Sequence, residues 1–182
     1  MKKAKPTFDG IEFDSNEEIE VYQWIQEAIK AGLIYGPSLS YQPAPFLLSP
    51  RQSRKEYKRL KTKIKLVDKF LLHPHEYTAD FEFEVTSTGC GCRLPFEMCD
   101  DGPYVTIDVK GSFNAHGGDR GFAINQKWVY AEHGVFVNKV VPAKLFEKTW
   151  VPALARLTPK TKKIKAEYAK FLSVAEFLEK KH

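Results

Sequence analysis

The chain lacks the features that would place it in a membrane, in a secretory pathway or in a disulfide framework. None of its apolar runs approaches the roughly 18 residues of a membrane span, and Met1 to Phe13 interleaves lysines with Phe8, Gly10 and Ile11 instead of building a signal-peptide apolar core. Its three cysteines, Cys90, Cys92 and Cys99, are few and odd in number, which excludes a disulfide scaffold and predicts reduced thiols in a cytoplasmic protein with no membrane partner. Gly and Pro together make 22 of 182 residues, too few for a low-complexity chain. No internal repeat and no Gly-, Ser- or Pro-rich linker interrupts the sequence, so a single domain over 1–182 is expected, large enough to bury a core without staples.

Charge of one sign is also nearly missing in total: the net charge is only +5. Its distribution along the chain is uneven. Residues 51–69 hold 9 basic and 2 acidic groups, 70–109 hold 1 and 8, and 139–182 hold 11 and 4, so a block of −7 lies between two of +7. A cation site flanked by phosphate-binding surface needs this pattern, although segregated charge also occurs in ordinary proteins.

The order of helix, strands, helix and strand predicts a mixed α/β sheet. A first helix is expected from an N-cap at Ser15, with Glu18 in capping-box spacing, to a stop near Gly32; Ile19, Tyr22, Ile25, Ala28 and Ile29 form its apolar stripe. An irregular strand is expected near Ser40–Leu48, followed by a basic segment from Arg51 to Lys69 whose second half could enter a strand. Period-two alternation predicts strands at Tyr77–Val85 and Tyr104–Lys110. In the first, Tyr77, Ala79, Phe81, Phe83 and Val85 share a face; in the second, Thr106, Asp108 and Lys110 oppose Val105, Ile107 and Val109. A second helix is predicted from about Phe122 to His133, stopped by Gly134, then a strand over Val135–Val141 and a tail with a helical end capped by Ser173 and Glu176.

Asp108, Val109 and Lys110 end a strand with a carboxylate and an ammonium on one face. Pairing of the two strong strands can bring Asp80 to the same place. Two carboxylates and the backbone carbonyl of Val109 form the all-oxygen set that Mg²⁺ prefers, and Lys110 could orient or deprotonate a water there. An isolated Asp-x-Lys is ordinarily a solvated pair; the first helix changes that reading. Wound at about 100° per residue with Glu18 at 0°, it places Tyr22 at about 40°, Ile25 at about −20° and Ile29 at about 20°, so Glu18 lies inside the apolar stripe. An inward carboxylate is costly unless paired or bound to a cation; its capping geometry alone does not explain that direction.

Glu18, the Tyr77-Thr78-Ala79-Asp80-Phe81 stretch and Asp108-Val109-Lys110-Gly111, in that order, resemble the PD-(D/E)XK nuclease superfamily. Phe13-Asp14-Ser15-Asn16-Glu17-Glu18 and Tyr41-Gln42-Pro43 bring the chain close to a phage-encoded branch that shares its core with Holliday-junction resolvases. The resemblance covers about residues 8–141 and leaves 142–182 as a basic C-terminal extension. It departs from the pattern at Ala79, in place of the proline, and at Asp108, in place of the commoner glutamate. What it implies is a restriction-endonuclease-like core and a Mg²⁺-dependent DNA endonuclease, with Mn²⁺ as a substitute, acting on branched or replicating DNA as in recombination. Asp80 and Asp108 would be metal ligands, Lys110 the catalytic lysine, and Glu18 a ligand or water-orienting carboxylate. Host-cell cytoplasm is then the expected location, and a homodimer would suit symmetric cleavage of a junction. The alternatives are an exonuclease-type member of the superfamily and a non-catalytic nucleic-acid-binding module that keeps the fold.

Further signals are weaker. Gln126 and Tyr130, four apart on the second helix, resemble the Gln-x-x-x-Tyr element of exonuclease-like members, and Lys127 beside them could contact substrate. Arg51, Arg54, Lys55, Lys58 and Arg59, with Tyr57 among them, could track a nucleic-acid backbone; the ordinary reading is a solvated loop. Cys90, Cys92 and Cys99 lack knuckle spacing, so zinc is not expected. His116, in the loop after Lys110, could contact a phosphate.

Overall fold

A computed structural model describes residues 4–92, 94–99, 102–111, 118–158 and 163–181. His116 and residues 159–162 of the basic C-terminal extension lie outside the described residues.

The chain opens with a short hairpin, β1 (Thr7–Phe8) and β2 (Ile11–Glu12), turned by Asp9 and Gly10, both at positive φ. Asp-Gly is the pair that such a two-residue turn favours. Helix α1 (Asn16–Lys30) follows, with Ser15 as N-cap accepting from the Glu18 N–H, and it stops before Gly32, whose φ of +71° only glycine adopts without strain. A four-stranded mixed sheet forms the centre, in the order β10 (Val137–Val140), β9 (Tyr104–Val109), β8 (Phe81–Val85), β3 (Ile34–Tyr41). Strands β10 and β9 run parallel, joined through helix α3 (Gly118–His133); the other pairings are antiparallel. Parallel strands require such a crossover. The expected α/β class and mixed sheet are therefore what the chain adopts.

Each sheet face has its own apolar cluster. Phe81, Phe83, Val85, Val105, Ile107 and Val140 pack with α1, while Leu48, Tyr77, Ala79 and Val137 pack with Phe122 and Val129 of α3. Cover on both sides explains why β9 is buried at Thr106 and Asp108 as well as at its apolar positions.

Three expectations are corrected. Tyr77–Val85 is not one strand: β7 (His75–Tyr77) pairs with β4 (Phe46–Ser49), and the main sheet takes the chain up again at β8. Tyr77 and Ala79 thus lie against α3 and Phe81 against α1, so the alternation changes face across Asp80. The basic segment, expected to enter a strand only in its second half, does so in both and forms most of a long antiparallel hairpin, β5 (Gln52–Arg59) and β6 (Ile64–Leu72), between β4 and β7. Its strands pair with each other and with no other strand among the described residues.

The stripe assigned to α1 was too narrow as well, because the helix is covered on a second side by residues after 141. Helix α4 (Pro142–Lys148), the short α5 (Ala153–Arg156) and helix α6 (Val174–Lys181) contribute Phe146, Ala155 and Phe177, and the link between α4 and α5 contributes Trp150 and Val151, to the same core as Phe13 and Trp24. Trp24 stacks on Trp150 at 4.7 Å and donates its indole N–H to Thr149 Oγ1 at 3.0 Å. Glu20 and Glu27, outside the apolar stripe, accept from Lys165 and Tyr168 and from Trp150 and Ala153 respectively. The basic extension is basic only on its surface; its apolar side completes the domain.

Candidate active site

Register builds the centre of the site. Strands β8 and β9 are antiparallel with Phe81 opposite Ile107, so one step further Asp80 stands opposite Asp108. The Asp80 N–H bonds the Ile107 carbonyl at 3.0 Å, and its carbonyl accepts from Gln42 N–H at 2.8 Å, which fixes the backbone where the chain changes face. Asp80 Oδ2 accepts from the Val109 N–H at 2.6 Å. The Asp80 and Asp108 carboxyls lie within hydrogen-bonding reach of each other.

Asp108 is only 4% exposed. It accepts from Lys110 Nζ on Oδ1 and from the Tyr77 hydroxyl on Oδ2, each at 2.5 Å. Lys110 is partly open to solvent and also faces the ring of Phe122 at 5.9 Å. Burial, then the neighbouring Asp108 charge, pushes the Asp80 carboxyl up to about 8, with a smaller push from Glu18 and a partial offset from the Val109 N–H. The Tyr77 phenol is pushed far above its ordinary value by burial first and by Asp108 second, so it remains a donor.

Glu18 is buried, as its position in the stripe predicts, and three donors hold it. Oε1 accepts from Ser15 Oγ at 2.9 Å, and Oε2 accepts from Asp14 N–H at 3.1 Å and Tyr41 OH at 3.0 Å. The capping box is shifted by one: the carboxylate reaches the Asp14 amide, one residue before the N-cap. Tyr41 and Gln42 link this carboxylate to the aspartate pair, since Gln42 donates its side-chain amide to Asp14 and its backbone N–H to Asp80. Gln42 does so from a positive φ of 48°, uncommon for a residue with a side chain.

Among the described residues no three His, Cys, Asp or Glu side chains converge on one ion position. A cation here would have Asp80 and Asp108 as its side-chain ligands, while Glu18 bears on the pair only through its smaller push on Asp80. That donor set fits Mg²⁺, which usually takes one or two carboxylates and fills its other positions with water and phosphate oxygens. A carboxyl driven toward protonation by its neighbour also marks a site short of positive charge.

The remaining predicted residues are dispersed. Gln126 donates to the Val137 carbonyl at 2.6 Å, at the opposite end of β10 from Val140, which pairs with Val109. With Lys127 and Tyr130 it lines an open cleft bounded by Glu97, Met98 and Phe136, and no described contact joins this cleft to Asp80 or Asp108. Arg51, Arg54, Lys55, Lys58 and Arg59 all lie on the hairpin arm: Arg51 covers Phe70, Arg54 and Lys55 pair with Glu56 and Asp68, and Lys58 and Arg59 sit further out. Cys92 is buried in the main core, whereas Cys90 is exposed beside Met98.

Tyr77 is the site residue that sequence reasoning missed. Alternation assigned it to the face of Phe81, and its position three residues before Asp80 was the only local hint. No helix among the described residues is long and apolar enough to cross a membrane. No family model, curated protein or solved structure matches this chain.

Proposed function

We propose that the protein is a metal-dependent nuclease that hydrolyses DNA phosphodiesters as an endonuclease, with selectivity for branched or replicating DNA. The observation that carries the reading is the buried Asp80–Asp108 pair, with Lys110 bonded to Asp108 at a strand end beside a basic arm. A structural ion pair needs one carboxylate for one ammonium; a second carboxylate forced against the first raises the cost of burial and serves a cation.

Bound Mg²⁺ supplies charge neutralisation at the scissile phosphate and lowers the pKa of a coordinated water. Asp80 and Asp108 hold that cation, and the Val109 N–H and Tyr77 hydroxyl fix the carboxylates in direction. Lys110 is the counter-ion of Asp108. Beside a cation held by Asp80 and Asp108, Lys110, partly open to solvent, would be the group placed to orient the attacking water or meet the phosphate. Glu18, held by Tyr41 and Ser15, adds negative field behind Asp80.

The test incubates purified protein with four-way junctions, nicked, linear and single-stranded DNA in Mg²⁺ or Mn²⁺, alongside Asp108→Asn and Lys110→Ala. Cleavage of the branched substrates that falls at least about 100-fold in both variants is expected. Equal inertness of all three proteins on every substrate refutes the enzyme and leaves a DNA-binding module. Degradation only from free ends replaces the endonuclease by an exonuclease.

A further inference from the structure

From Pro50 to Glu76 every residue is exposed except the half-buried Glu56 and Val67. Eight paired residues at about 3.3 Å each make an arm of roughly 25 Å. Such an arm has no core of its own, and an ordinary solvated ribbon would be polar on both faces. This one is not.

In its outer half, cross-strand pairing of Tyr57 with Leu66 and of Arg59 with Ile64 puts Tyr57, Ile64 and Leu66 on one face. They are 75%, 67% and 47% exposed. The opposite face of that half carries Lys58 opposite Lys65, and the turn adds Lys61 and Lys63 around a Leu60 N–H to Lys63 carbonyl bond.

Charge divides the arm in the same place. Both of its acidic residues lie toward the root and are engaged, Glu56 by Arg54 and Lys69 and Asp68 by Lys55. Beyond them Lys58, Arg59, Lys61, Lys63 and Lys65 have no acidic partner among the described residues. Five unopposed cations select a polyanion. An apolar face among them selects one that offers stackable apolar surface as well as phosphates, and a nucleic acid with an open base step does so.

We propose that the outer half of the β5–β6 arm is a branch-reading wedge. Tyr57, Ile64 and Leu66 stack against bases exposed at an unpaired or unstacked step, and the surrounding lysines and Arg59 hold the flanking phosphates. A two-stranded ribbon fits the major groove, about 12 Å wide. The outer half of that face carries Arg59 beside Ile64 but no Asn or Gln, and its three apolar side chains make it respond chiefly to an opening and little to a sequence. Insertion into intact duplex must first unstack a step at a cost of a few kcal/mol, whereas a branch point has that step already open. The arm's return strand, β6, leads into β7, which ends at Tyr77, and Tyr77 bonds Asp108, so DNA seated on the arm lies on a path that leads to the carboxylate pair.

This inference rests on the nuclease reading for its purpose but is tested apart from it. Binding is measured in EDTA, where no hydrolysis occurs, to a four-way junction and to a linear duplex of equal length, with 2-aminopurine at the branch as a reporter of unstacking. The proteins are wild type, the triple variant Tyr57→Ser/Ile64→Ser/Leu66→Ser, and Lys61→Ala/Lys63→Ala. Wild type is expected to prefer the junction and raise the 2-aminopurine signal. The triple variant should lose about tenfold or more in junction affinity, with no signal change, while its duplex affinity moves less than about twofold. The lysine variant should weaken on both DNAs and show a shallower salt slope. Because the arm adds nothing to the core, unchanged melting temperatures are expected for both variants.

A triple variant that binds the junction like wild type overturns the wedge. So does wild type that binds both DNAs equally or neither, or that leaves DNA alone and binds anionic phosphatidylserine vesicles through the arm. Cleavage in Mg²⁺ by a wild type whose wedge has failed these tests keeps the nuclease and discards the arm's role; a working wedge without cleavage does the reverse.

Discussion

The Asp80–Asp108 contact makes a quantitative prediction about the metal-free protein. An aspartate titrates near 3.8 when solvated, and Asp80 is pushed up to about 8 in the fold, with burial as the largest cause and Asp108 the next. Between those values the unfolded chain has released a proton that the folded protein keeps. Stability attributable to Asp80 is therefore complete below about pH 4, falls as pH rises through about pH 8 and is flat above it. The limiting slope is about 1.4 kcal/mol per pH unit, or about 4 kcal/mol between pH 5 and pH 8. An effective dielectric nearer 20 than 4, beside the open side of the site, brings the expected loss to about 2–3 kcal/mol. Asp80→Asn removes the titration while keeping the contacts, since an amide can accept from the Val109 N–H and donate to Asp108. Urea unfolding in EDTA at pH 5 and pH 8 tests this directly. Wild type should lose about 2–3 kcal/mol more than the variant between the two, and the variant should be the more stable protein at pH 8. Saturating Mg²⁺ should restore wild type at pH 8 and leave Asp80→Asn nearly unchanged. Parallel pH profiles for the two proteins in EDTA would refute the coupling, and equal stabilisation by Mg²⁺ would refute the cation site.

Three further outcomes are expected. Tyr77→Phe deletes one buried donor to Asp108 without changing shape, and should destabilise the metal-free protein by about 1.5–3 kcal/mol in denaturant melts. Trp150→Ala removes a fully buried ring stacked on Trp24 and should cost about 3–5 kcal/mol, with wholesale loss of folding on truncation after residue 141; a truncated chain that melts cooperatively would contradict the shared core. DNA affinity should fall steeply with salt because unpaired cations carry the contact, and a log–log slope near zero between 50 mM and 200 mM salt would remove the arm from phosphate binding.

The candidate site was legible in part because some of its geometry is local. Asp108 and Lys110 share a strand face at spacing two, and Glu18 falls within a helical apolar stripe; both follow from backbone periods that hold wherever the element packs. Tyr77 was not legible because alternation extrapolates a straight strand, while the chain here leaves one sheet and joins another at Asp80. Gln126 shows the converse: the i, i+4 spacing with Tyr130 holds, but tertiary packing commits its amide to the Val137 carbonyl.

By itself the sequence determined where the first helix begins and ends, where the second stops, and which residues of β9 share a face. Ser15 caps α1, glycines at positive φ follow α1 and α3, and β9 alternates as its residues require. Those choices are short-range, set by steric limits and by hydrogen bonds within a few residues. Tertiary structure alone decided that Asp80 meets Asp108, that Tyr77 completes the site, that the segment after 141 closes the core over Trp24, and that a run of lysines and arginines stands out as an arm. Each depends on register or packing between residues far apart in the chain, where many pairings satisfy local preference and the burial of a common core selects one.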